Sequence, residues 1–248
     1  MLKELPKPVD MAAELVDLAI GLLYSSIKRR IRRKIALLAD DVFQATGLDK
    51  AEAMVKRLLN MIEHPSISYE KIVVLVVTSE GASRERIGRH RWADLLTMWN
   101  MPREGFRRLY DLLPGEKPPF EEVWRWTGGN PKALERLYLA RWDVGKIVTN
   151  IKMRGLSELV SQLSEYERDV LKEAIEDPDV ILRSLREAKR LRDLLIEKNL
   201  IIRVADDREQ NFWIDAPPPE RDPELGIGKY YAWQTPLHRE AVRRALAG

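Results

Sequence analysis

The chain has 248 residues, 45% of them hydrophobic and 33% charged, a balance that buries a core and excludes a disordered chain. With no cysteine it has no disulfide, no thiolate metal site and no thiol nucleophile, and a net charge of +3 sets up no global field for nucleic acid. A composition heavy in Glu, Lys and Arg suits a hot-living (thermophile) source. The charged, proline-bearing opening Met1–Pro8 does not read as a signal peptide, and the apolar stretch Leu15–Ile27 is broken by Asp17 and too short to span a bilayer. A cytoplasmic protein with no membrane partner is expected.

In chain order, Asp10 caps a predicted helix from Met11 to about Arg33, apolar over most of its circumference. It ends in Lys28-Arg-Arg-Ile-Arg-Arg-Lys34, read either as a nucleic-acid patch or as cations favoured by the negative end of a helix dipole. The absence of interleaved aromatics favours the second reading. A buried-strand pattern follows, Ile35–Ala39, closed by the pair Asp40-Asp41, then a helix over Lys50–Ile62 and a second strand over Lys71–Val77. That strand stops at Thr78-Ser-Glu-Gly81. Strand, helix, strand with polar residues at the strand ends is a βαβ unit, whose ligands gather at the carboxyl edge. After the basic run Arg84, Arg86, Arg89, His90 and Arg91, a third strand is expected within Trp92–Trp99.

Pro102 opens a helix with the apolar stripe Phe106, Leu109, Tyr110 and Leu113, and a proline-rich loop, Pro114–Pro119, leads to a helix over Phe120–Trp126. In Thr127-Gly-Gly-Asn-Pro-Lys-Ala-Leu134, Asn130 suits an N-cap and Pro131 the first helical position. From about Gly155 the pattern changes. Ser164-Glu-Tyr-Glu167 is a capping box opening a helix to Asp177, Pro178 starts a second, and Lys189–Lys198 reads as a third. Leu200–Val204 and Asn211–Asp215 flank a charged turn as a hairpin would. Three helices and a hairpin spell a winged helix. The tail Pro217–Gly248 closes with a helix over His238–Leu246.

A short apolar run ending in two carboxylates reads as the Walker B strand of a P-loop NTPase. Such a strand follows a G-x-x-x-x-G-K-[ST] loop, and residues 1–33 hold a single glycine, Gly21, and no such loop. The ordered set Asp40-Asp41, Thr78–Gly81, Ile87-Gly-Arg-His-Arg-Trp92, Gly128–Pro131, Trp213–Pro219, Glu224–Lys229, Ala232–Pro236 and His238–Val242 resembles the archaeal P-loop ATPases of the AAA+/STAND type. The likeness covers residue 34 to the end. It implies an α/β fold: an incomplete parallel P-loop NTPase (ASCE-type) core over 34–100 after a basic-ended helix over 1–33, a helical lid over 101–150, and a winged-helix domain with a C-terminal tail over 151–248.

What the resemblance implies for chemistry is a Mg2+-dependent ATP site. Asp40 would coordinate Mg2+ through water, with Asp41 orienting the nucleophilic water. Thr78 or Ser79 would fill the sensor position, Gly128, Gly129, Asn130 and Pro131 would lie near the base, and Arg89 would sense the γ-phosphate. Without the phosphate loop, ATP binding and hydrolysis are expected to be impaired or to need a complementary ATPase half. A homo-oligomer is the other expected partner. The alternative expectation is a non-enzymatic module that binds DNA through Lys189, Arg190, Arg192 and Lys198, or a protein through Met11–Ile27. His64 and His238 read as packing or surface residues, and His90, between Arg89 and Arg91, as a structural partner rather than a base.

Overall fold

The computed structural model describes residues 34–41, 48–64, 69–78, 94–183, 186–204 and 208–248, with Leu18 and Gly21 the described positions ahead of them. The chain divides into two compact units, Met1–Leu95 and Leu96–Gly248. The rest of the predicted helix Met11–Arg33, with its basic run Lys28–Arg33, lies outside the described residues, as do Ser79 and Arg89.

In the first unit, β1 (Lys34–Asp40) and β2 (Lys71–Val77) pair in parallel, Lys34 opposite Lys71 and Asp40 opposite Val77, joined through α1 (Leu48–Glu63). Met54, Val55, Leu58 and Met61 recur at the spacing of one helical face. They bury against Leu37, Ile72, Val74 and Val76 of the sheet. The Tyr69 hydroxyl donates to the carbonyls of Met61 at 3.0 Å and Ile62 at 3.1 Å, tying the end of α1 to the start of β2. Both strands alternate, with every second residue exposed. The open face carries Leu38 (72% exposed), Val73 (63%) and Leu75 (49%), and Asp40.

The second unit begins with β3 (Thr97–Met98) and runs through α2 (Arg103–Asp111), α3 (Phe120–Thr127), α4 (Pro131–Leu139), α5 (Val144–Met153), α6 (Leu156–Ser161) and α7 (Glu165–Glu176). A 3-10 turn (Pro178–Leu182), α8 (Arg186–Glu197), β4 (Ile201–Arg203), β5 (Trp213–Ile214), β6 (Tyr231–Trp233) and α9 (Pro236–Leu246) follow. Ser164 and Glu167 form the expected capping box. The main core gathers α4 to α9 around Leu171, Ile181, Leu191 and Trp233, with α9 packed on α3, α5, α6 and α7. The Trp233 indole donates to the Ala174 carbonyl at 3.0 Å.

Two strand expectations are corrected. Within the described part of Trp92–Trp99 only Thr97–Met98 is a strand, and it pairs in parallel with β5 rather than extending the first sheet. Burial of Trp213 (4% exposed) against Trp99 draws this pairing into the second unit. The expected hairpin of Leu200–Val204 with Asn211–Asp215 does not form. Instead β4 pairs antiparallel with β6, Ile201 opposite Trp233 and Arg203 opposite Tyr231. Tyr231-Ala-Trp233 is a continuous buried run, whereas Gln210–Phe212 is a 3-10 turn and Asp215 turns left-handed at φ 64.

Candidate active site

The parallel pair brings Asp40, Asp41 and Thr78 to one edge. Asp40 ends β1 opposite Val77, and the Asp41 amide donates to the Val77 carbonyl at 3.0 Å, carrying the ladder one residue past the strand. Asp41 then turns left-handed at φ 50, a conformation Asp tolerates better than most residues. Asp40 is exposed on the open face and Asp41 is half-buried. Two adjacent carboxylates supply hard oxygen donors of the kind Mg2+ takes, since Mg2+ binds through one or two carboxylates plus water and phosphate oxygens. Among the described residues no group of three or more His, Cys, Asp or Glu side chains could hold a metal ion, so Asp40 and Asp41 belong to no closed all-protein cage there. Bound there, Mg2+ would neutralise phosphate charge, with Asp40 as its carboxylate.

Gly128, Gly129, Asn130 and Pro131 belong to the second unit, where they form a packed corner. Gly128 ends α3 left-handed at φ 58, its amide donating to the Trp124 carbonyl at 2.8 Å. Gly129, at φ 80, accepts the Met101 amide at 3.0 Å. A Cβ there would lie 2.4 Å from the Met101 carbonyl oxygen and 3.1 Å from the Trp124 ring, so only glycine fits. Asn130 caps α4 by accepting the Ala133 amide at 2.9 Å, and its Nδ2 donates to Asn100 Oδ1 at 2.9 Å. Pro131 takes the first helical position, as expected. Asn100 and Met101 are the residues missed from sequence, since nothing local marks a strand-end Asn as the partner of a cap thirty positions on.

Below this corner, on α9, His238 is held by Thr235, whose Oγ1 lies 2.9 Å from Nδ1. Burial first, then repulsion from Arg136 and Arg154, pushes the imidazole down to about 4, so it is neutral at pH 7. On α8, Arg190 is drawn into an ion pair with buried Glu167, and Arg192 pairs with Asp193.

A parallel strand pair joined through a helix is a small α/β unit whose carboxyl edge, here carrying Asp40 and Asp41, is where ligands of such units gather. Residues 2–137, more than half of the chain, match the model of a family described as an ATPase domain predominantly from Archaea, and the chain belongs to that family. No curated protein and no solved structure matches it. Membership implies nucleotide and Mg2+ as ligands. Among the described residues no helix is long and apolar enough to cross a membrane.

Proposed function

We propose that the protein is a Mg2+-dependent nucleotide-binding ATPase module of the AAA+/STAND type. In this reading Asp40 holds Mg2+ through water, Asp41 orients the attacking water, and Thr78 or Ser79 is the polar sensor beside them. Arg89 is the γ-phosphate cation, and Gly128–Pro131 lies near the base. The observation that carries the reading is the convergence of Asp40, Asp41 and Thr78 at one edge of a parallel ladder, tied by the Asp41–Val77 hydrogen bond. In this reading the phosphate-holding loop, which residues 1–33 do not supply, is contributed by a complementary ATPase piece, and ATP binding without it is weak. Calorimetric titration of the full chain with ATP and Mg2+, alone and with a polypeptide carrying such a loop, tests this. Binding lost in Asp40→Ala supports it; no binding even with the added polypeptide overturns it.

A second reading, a winged helix acting on DNA, is favoured by one observation. The order α7, 3-10 turn, α8 and then the antiparallel β4–β6 pair is that of a helix-turn-helix with a wing. Against it, Arg190, Arg192 and, just past the end of α8, Lys198 are each engaged by a carboxylate, three of the four cations proposed to meet phosphates. A gel shift across salt concentrations decides, and absence of a complex at low salt removes this reading.

A further inference from the structure

The family match ends at residue 137, inside α4. If the matched residues were a module of their own, α2, α3 and α4 would close on one another and leave the later helices to a separate core. Three kinds of contact say otherwise.

The first is backbone pairing. Thr97 and Met98, ahead of α2, form a parallel ladder with Trp213 and Ile214. The second is the glycine corner. Gly129 accepts the Met101 amide, while a Cβ on Gly128 would sit 3.3 Å from the ring of Pro236, the first residue of α9. The third is the core itself. Ala133 and Leu137 of α4 share one cluster with Val148 of α5 and with Trp233 and Leu237. Trp124 of α3 packs at once against the Phe106–Phe120 cluster and against the cluster of Val204, Trp213, Ile227 and Ala232. The Trp142 indole, after α4, reaches back to the Glu116 carbonyl at 3.1 Å.

Close-packed cores do not deform continuously. Segments that share buried side chains open together or not at all. We propose that residues 96–248 respond as one cooperative body, in which the Gly128–Pro131 corner is the joint that passes a change at the ATPase-family helices α2–α4 to the C-terminal helices α5–α9. The coupling is a property of this body. That nucleotide supplies the input rests on the functional reading above, so the two fail separately.

Hydrogen exchange of the full chain in low urea tests the coupling from both ends, because coupling between two sites is reciprocal. Gly129→Ala, which drives a Cβ into the Met101 carbonyl, raises exchange in α2–α4 and in α5, α7 and α9 by one common factor, about tenfold or more. Leu237→Ala, made from the α9 side, raises exchange around Phe106 and Leu134 in the same way. If Gly129→Ala does not fold, Gly128→Ala takes its place, since its Cβ meets only the edge of Pro236. A response confined to residues 97–139 in the first variant, or to residues 140–248 in the second, overturns the proposal. In wild type with ATP and Mg2+, protection that spreads from Gly128–Leu139 into β6 and α9 supports it, and protection that stops at 139 overturns it. No response to ATP and Mg2+, even with a polypeptide carrying the phosphate loop added, overturns the nucleotide reading, while the two variants still decide the coupling.

Discussion

Arg190, on the exposed side of α8, donates Nε–H to the carboxylate of Glu167 on α7 at 2.6 Å and bonds its other oxygen through Nη2. Glu167 is 1% exposed and is the one charged residue in the buried set among the described residues. Its carboxylate also accepts the Ser164 amide at 2.9 Å, so a single side chain caps α7 and clamps α8. Buried carboxylates are tolerated only when their lone pairs are filled, and here three N–H groups fill them.

Arg190→Ala leaves that carboxylate buried without its cation, and we expect a loss of stability in urea unfolding at pH 7, smaller than for a fully buried pair because water reaches the Arg190 side. The loss depends on pH. The Arg190 hydrogen bond, opposed by burial and helped by Ser164, holds the carboxyl below its ordinary value. A depressed carboxyl contributes stability that is present above its unfolded value and lost as pH falls through the folded one. The gap between wild type and Arg190→Ala therefore narrows on acidification. A gap that stays constant to low pH would show that Arg190 acts by packing alone.

Asp179 is a second carboxylate that organises backbone. It accepts the amides of Lys229 at 2.7 Å, Tyr230 at 2.9 Å and Tyr231 at 3.0 Å, anchoring β6 to the 3-10 turn. A Cβ on Gly228 would lie 2.6 Å from its Oδ1, so the approach needs glycine at that position. Asp179→Ala is expected to cost roughly 2 kcal/mol, because three donors lose a charged acceptor while only some regain water. Exchange at residues 229–233 should rise most. Asp179→Asn, keeping one acceptor oxygen, should fall between the two.

These anchors mark the line between what could be read from sequence and what could not. Lys71–Val77 is the strand that its β-branched run predicts, and the helix expected over Lys50–Ile62 is α1, Leu48–Glu63. The caps of Asn130 and Ser164 are formed by neighbours in sequence and were therefore legible. The Asp40-Asp41 edge is legible for the same reason, since a strand end declares itself where an apolar run meets carboxylates. Strand partners were not. β3 and β5 have two residues each, too short to carry a period, and their pairing is set by the burial of Trp213 far along the chain. The Asn100–Asn130 contact was hidden likewise, because only tertiary packing brings the two side chains together.

His238 gives a third prediction, independent of Glu167. Its folded value is about 4 against 6.5 for a free imidazole, through burial first and then the charges of Arg136 and Arg154. Above pH 6.5 neither folded nor unfolded chain binds the proton, and its effect is absent. As pH falls from 6.5 towards 4 the unfolded chain takes it up first, so stability drops by about 1.4 kcal/mol per pH unit from this group. The total approaches ~3 kcal/mol below that window. His238→Asn keeps a polar atom near Thr235 and removes the titration, so its unfolding free energy should lose one proton's worth of slope between these values. An unchanged slope would mean that the imidazole charges freely in the folded protein.

The first unit offers the sharpest contrast between two faces of one sheet. Parallel strands are usually covered on both sides, yet here α1 covers one face, while Leu38 stands opposite Leu75 on the other, beside Asp40. Leu58 (6% exposed) fills the covered side, and Leu58→Ala should cost roughly 3 kcal/mol, a transfer loss plus a cavity. Leu38→Thr and Leu75→Thr remove apolar surface that water already reaches, and each should lie within about 0.5 kcal/mol of wild type while raising solubility. Exchange of the β2 amides reads all three variants. If Leu38→Thr costs as much as Leu58→Ala, the open face is covered in solution, and Asp40 shares that cover.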